Sequence, residues 1–91
     1  MTVTLEVPTL LRAEIGGAAE VTVSGSTVRE ALEDVRRLHP ALYRGICHET
    51  GEVRPHVGVF VGVDHIRDRN GLDTPLAPGD VILVFPAVSG G

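Results

Sequence analysis

Val81-Ile82-Leu83-Val84-Phe85 is an unbroken apolar run, framed by Pro78-Gly79-Asp80 before it and Pro86 after it. A short apolar run bounded by turn residues, and rich in branched side chains, reads as a buried strand. Because it is continuous rather than alternating, it is expected to be central in its sheet and covered on at least one face. Pro86 has no amide to donate, so pairing stops there. The residues that follow, Ala87-Val88-Ser89-Gly90-Gly91, are expected to form a flexible tail on a domain spanning 1–86. Glycine carries no Cβ, so Gly90 and Gly91 can thread a narrow slot and leave the last carboxylate unshielded. The plain alternative is a frayed terminus, often glycine-rich.

Working back from this strand, the chain changes period twice. Thr2 to Val7 alternates, with Val3, Leu5 and Val7 on one side, and stops at Pro8. Glu20 to Ser24 alternates again, with Val21 and Val23 inward, so the pair is expected to form an antiparallel hairpin. The long connection turns at Gly16-Gly17, and Leu10, Leu11 and Ile15 within it are expected to touch the core. Thr27-Val28-Arg29-Glu30 matches a capping box, and Val28, Ala31, Leu32, Val35 and Leu38 follow at helical spacing. Arg36, Arg37 and His39 suit the end of that helix, and Pro40 is expected to terminate it. Ala41-Leu42-Tyr43 reads as one further helical turn, and Glu49-Thr50-Gly51-Glu52 as an exposed loop. Val57 to Val63 reads as a strand with Gly58 and Gly62 on one face. Asp64-His65 is expected to be a tight turn, with Ile66 opening a short return strand.

The order is strand, strand, helix, strand, short strand, strand. A hairpin, a crossing helix and a long last strand placed centrally describe an α+β fold of the β-grasp (ubiquitin-like) type. It would have a mixed sheet of four to five strands, one main helix packed on one face, and a final strand parallel to the first.

Composition narrows the function classes. With 91 residues the chain supports one small domain, and 43% hydrophobic content argues against disorder. The aromatics are only Tyr43, Phe60 and Phe85, and the net charge is −4. A nucleic-acid binder would want a basic stripe and stacking aromatics, so none is expected. All 8 basic residues are arginine. No apolar run approaches a membrane span and the N-terminus lacks a signal-peptide pattern, so a cytoplasmic location is expected. Cys47-His48, with His39, His56 and His65, fits no zinc spacing, and no metal is expected. One cysteine excludes a plant-type iron–sulfur ligand set, and Cys47 is expected in a loop without a role. Gly16-Gly17 lacks the pattern of a phosphate loop.

The block Pro78-Gly79-Asp80-Val81-Ile82-Leu83-Val84-Phe85-Pro86-Ala87-Val88-Ser89-Gly90-Gly91 resembles the end of the MoaD/ThiS family of prokaryotic ubiquitin-like sulfur carriers. There a Gly-Asp turn, an apolar strand, Pro and a terminal Gly-Gly recur in that order. Val7-Pro8-Thr9-Leu10-Leu11-Arg12, Gly16-Gly17 and Val23-Ser24-Gly25-Ser26-Thr27 are similar to its actinobacterial branch, which delivers sulfur for cysteine synthesis.

The resemblance implies a protein cosubstrate, not an enzyme, with no bound cofactor. A MoeB/ThiF-like activating enzyme would adenylate the Gly91 carboxylate with ATP, and a sulfur donor would convert it to a thiocarboxylate. A client enzyme, such as a cysteine synthase, would then take the sulfur. Molybdopterin or a sulfur-containing metabolite are alternative destinations, and in some relatives a metalloprotease trims residues beyond Gly-Gly. Gly91 and Gly90 would carry the chemistry, and Ser89 and Val88 would line the slot. Phe60 and Phe85 are candidate docking residues, although a core role is the more ordinary one for each. Asp64, Asp68, Asp73 and Asp80 could steer an arginine-rich partner, with turn chemistry the simpler reading for Asp80. Two further classes stay open: a protein modifier joined through Gly91 to target lysines, and a non-catalytic interaction domain.

Overall fold

The first two strands of the computed structural model, which describes residues 2–86, pair as the alternation requires. β1 (Thr2–Glu6) and β2 (Glu20–Ser24) are antiparallel, with Val3 opposite Val23 and Leu5 opposite Val21. Val3, Leu5, Val7 and Val23 are buried. Between the strands lies a 3-10 segment, Thr9–Ile15. Leu11 and Ile15 pack against the core, but Leu10 is 80% exposed, contrary to the expectation for all three. Adjacent residues on a 3-10 turn point about a third of a turn apart, so Leu10 and Leu11 cannot both face inward.

Helix α1 (Val28–Leu38) begins at Thr27, whose hydroxyl accepts from the Glu30 amide at 3.2 Å. Glu30 reaches back one residue further than a capping box demands, and its carboxylate accepts from the Ser26 amide (2.8 Å) and hydroxyl (2.7 Å). Val28, Ala31, Leu32 and Val35 are buried, whereas Leu38, the last residue of the helix, is 43% exposed. The Asp34 carboxylate accepts from the Ser24 amide at 2.9 Å, fastening the helix to the end of β2. That approach is close at Gly25, where a β-carbon would stand 2.5 Å from the Ala31 nitrogen and 2.9 Å from the Glu30 carbonyl carbon.

Pro40 does more than terminate α1. It is the first residue of a second helix, α2 (Pro40–Ile46), two turns where only one was expected. A proline at the first helical position costs no hydrogen bond, because that amide would be unpaired in any helix. Leu42, Tyr43 and Ile46 are buried from this helix.

β3 (Val57–Val61), β4 (Asp64–His65) and β5 (Val81–Pro86) complete a five-stranded mixed sheet of order β2-β1-β5-β3-β4. β5 is central, parallel to β1 and antiparallel to β3. One local expectation is corrected. The turn falls at Gly62-Val63, not at Asp64-His65, which instead form the return strand; Ile66 opens a 3-10 turn, Ile66–Asp68. Gly62 has φ +60° and Val63 does not share it, as a two-residue II′ hairpin requires, so the glycine fixes the turn. The core lies between α1, α2 and one face of the sheet, with Leu5, Leu42, Ile46, Val59 and Ile82 at its centre.

Candidate functional site

The parity of β5 sorts its side chains into two sets. Ile82 and Val84 are buried under the helices, so Val81, Leu83 and Phe85 project from the opposite face. That face is left open: Phe85 is 53% exposed, and Leu83 and Phe60 are half-buried. In the ladder Phe60 stands opposite Leu83 on one side and His65 on the other, while Gly58 stands opposite Phe85.

The rings interlock edge to face. Phe60 lies 4.9 Å from His65 at an interplanar angle of 65°, and 5.5 Å from Phe85 at 81°. These are the arrangements that the ring quadrupoles favour. Gly58 makes room for the cluster, since a β-carbon there would be 3.3 Å from the Phe60 ring edge. His65 is oriented from behind: its Nδ1 accepts from the Arg67 amide at 3.0 Å, which places the proton of the neutral ring on Nε2.

Phe60 and Phe85 are therefore surface residues, and the core role expected of each is not the one they have. Phe85 is followed by Pro86, paired with Val57, so the patch borders the end of the sheet from which the chain leaves. Val88, Ser89, Gly90 and Gly91 lie outside the described residues. Leu83 and His65 join the patch without being docking candidates in the sequence, where His65 reads only as a turn residue and a rejected metal ligand. The available signal was register, since in the β3 alternation Phe60 shares its face with Gly58, opposite to the buried Val57, Val59 and Val61.

The acidic candidates separate by role. Asp80 accepts from the Ala77 amide at 2.8 Å and shapes the turn before β5. Asp73 pairs with Arg29 at 3.2 Å and ties the preceding loop to α1. Asp64 and Asp68 are exposed. Cys47 is not in an open loop as expected: it is 1% exposed and its backbone bridges to Val53. Burial pushes its thiol up to about 11, so at neutral pH it is not a thiolate nucleophile. Among the described residues no group of three or more His, Cys, Asp or Glu is placed to hold a metal ion, and no helix is long and apolar enough to cross a membrane.

A mixed sheet with helices on one face, a central last strand parallel to the first and an aromatic patch beside its exit define a ubiquitin-like β-grasp protein. The ThiS family profile matches residues 6–91, and the chain belongs to this ThiS/MoaD family of ubiquitin-like sulfur carriers. It is 34% identical over 97 residues to the sulfur carrier protein CysO of Mycobacterium tuberculosis, covering all of both chains. Among solved structures it resembles a chain of the Amycolatopsis orientalis BexX/CysO complex, with TM-score 0.88, 32% identity, and 98% and 99% of the two chains covered. It also resembles SAMP1 of Haloferax volcanii, with TM-score 0.81, 29% identity and full coverage of both.

Proposed function

We propose that this chain is a sulfur carrier whose working group is the Gly91 carboxylate. A free carboxylate is a poor acyl donor. A ubiquitin-activating-like enzyme would attack ATP with it, forming the acyl-adenylate and releasing pyrophosphate. Sulfide would then displace AMP, leaving a thiocarboxylate and one proton. A persulfide could serve in its place, displacing AMP to give an acyl disulfide, which a second thiol then cleaves to the thiocarboxylate and a disulfide, releasing one proton. The thiocarboxylate sulfur is the nucleophile that a client uses to form a carbon–sulfur bond, with a cysteine synthase the leading candidate. The carrier supplies no acid, base or bound cofactor in this scheme; it supplies position.

The observation that carries the reading is the aromatic patch beside the exit of the central strand, in a chain whose family match runs through residue 91. Phe60 and Phe85, with Leu83 and His65, would seat the body on a partner while Val88 and Ser89 line the slot. The likeness to a carrier chain in the BexX/CysO complex supports a protein partner of this kind. The test is intact mass after incubation with an activating enzyme, ATP and sulfide. A gain matching one oxygen replaced by sulfur, mapped to Gly90-Gly91, is the expected result; an unmodified chain beside a control carrier that is converted would overturn it.

A second reading, conjugation to target lysines, is favoured by one relative. Small archaeal modifier protein 1 of Haloferax volcanii is 35% identical over 86 residues. The same acyl-adenylate would serve both fates. With no lysine in the chain, conjugates could not be extended through the carrier's own side chains.

A further inference from the structure

On the helical side, away from the aromatic patch, three arginines converge on one solvent-open cavity of about 560 Å³. Arg36 comes from α1, Arg44 from α2 and Arg54 from the segment that follows Cys47; Pro40, Tyr43, Cys47 and Glu49 complete the lining. Two of the guanidinium groups are held in place. Arg36 lies 5.6 Å from the centroid of the Tyr43 ring, a cation–π distance, and the Arg54 Nε donates to the Arg44 carbonyl at 2.7 Å. Their charge is poorly matched from within. Arg36 approaches Glu33 only to 3.8 Å, and among the described residues no carboxylate lies within 4.0 Å of Arg44 or Arg54. Within the lining Glu49 sets one negative charge against three positive ones, and Glu33 adds a second from outside it, so one positive charge is left over in a protein whose net charge is −4.

We propose that this cavity binds a small phosphate-bearing molecule. Guanidinium groups present planar pairs of donors that match phosphate oxygens, and a phosphate group can accept from several at once. Three cations exceed what a single carboxylate requires and suit a group with two or more negative charges. The volume falls within the range of small-molecule sites, about 300–1,000 Å³, rather than that of a flat protein interface. The site shares no residue with the patch or the tail, so it is independent of the sulfur-carrier reading.

The experiment is a titration of the ¹⁵N-labelled full chain with sodium pyrophosphate at constant ionic strength, following backbone amides and the arginine Nε–H groups. Saturable shifts confined to Arg36, Arg44, Arg54 and their neighbours are expected. Arg44→Gln, an exposed position, should weaken binding by at least about fivefold, as loss of a charge-assisted hydrogen bond would. Arg36→Gln gives a second variant from a different helix and should act in the same direction. Arg37→Gln removes a guanidinium outside the cavity, one that pairs with Asp34 at 2.7 Å, and should leave affinity unchanged. Shifts that rise without saturation, or equal weakening by Arg37→Gln, would overturn the proposal. Tighter binding of a glutamate-rich peptide than of pyrophosphate would also overturn it, making the cavity a protein-docking surface.

Discussion

Gly25 and Gly45 present nearly the same contact distance and should respond to alanine in opposite ways. A β-carbon at Gly25 would stand 2.5 Å from the Ala31 nitrogen, about 0.9 Å inside the ordinary 3.4 Å contact, and 2.9 Å from the Glu30 carbonyl carbon. Those atoms belong to the first turn of α1, which is fixed by the Thr27 and Ser26 capping bonds and by Asp34 on Ser24. Relief would require the helix to move as a body. At Gly45 the nearest atom is 2.6 Å away, but it is the Leu11 Cδ2, the end of a half-buried side chain that can rotate. Overpacking typically costs about 1–3 kcal/mol. Removing glycine restricts the unfolded chain and returns about 0.4–1 kcal/mol. Gly25→Ala should therefore lose about 1–2 kcal/mol, a fall in Tm of about 5–15 °C for a domain of this size. Gly45→Ala has the same unfolded-state gain, expressed in α2 as better helix propensity, against a contact that can yield, so it should stay within about 1 kcal/mol of wild type. Urea and thermal unfolding followed by circular dichroism would measure both. Equal stability of the two variants, or a Gly25→Ala protein more stable than wild type, would refute the claim that backbone contact decides the cost.

Other outcomes follow from the patch, the tail and the titrating groups. Phe85→Ala should cost less than about 1.5 kcal/mol of stability because the ring is already half exposed, yet weaken docking to the activating enzyme at least about tenfold by calorimetry; unchanged affinity would remove Phe85 from the interface. Deletion of Gly91 should leave the urea midpoint in place and abolish thiocarboxylate formation by mass; retained sulfur transfer would sink the carrier mechanism. The Cys47 thiol ionises at higher pH in the fold than when exposed, so its contribution is intact below about pH 9 and declines as pH rises towards about 11. Urea midpoints between pH 7.5 and 11 should fall, and fall less steeply in Cys47→Ala; identical slopes would assign the effect elsewhere. Glu30 is held below the usual carboxylate range, first by the Ser26 amide and then by its hydroxyl, so its support is present above about pH 4.5 and lost below it. Glu30→Gln should lower Tm at pH 7 but not at pH 3, and a deficit equal at both would count against the capping role.

The elements legible in the sequence were those where one physical signal acted alone. β1 and β2 alternate cleanly, the Thr27 cap and apolar stripe announce α1, and the unbroken run of β5 marks a central strand. The sequence is ambiguous where one residue serves two elements. Pro40 ends α1 and opens α2, and a proline is equally compatible with either. Gly62 sits in an apolar pattern that continues through Val63, so the hairpin turn was hidden inside what reads as strand. Faces were harder than elements. β5 is apolar at every position, and only pairing with β3 reveals that Phe85 shares a side with Gly58 and Phe60 rather than with Val84. A phenylalanine in a small core-poor chain defaults to the interior, and that default failed twice. The arginine cavity was unreadable because its members come from segments joined only by the packing of α1, α2 and the residues after Cys47.

The position of β5 also has a mechanical consequence. A strand paired on both flanks, with three residues in register with β1 and five with β3, shares any axial load between two neighbours. Tension applied beyond Pro86 along the strand pulls on those hydrogen bonds together, in shear, instead of opening them one at a time as peeling an edge strand would. Under a pull at the end of β5 the body would therefore stay folded, like a stopper on a cord.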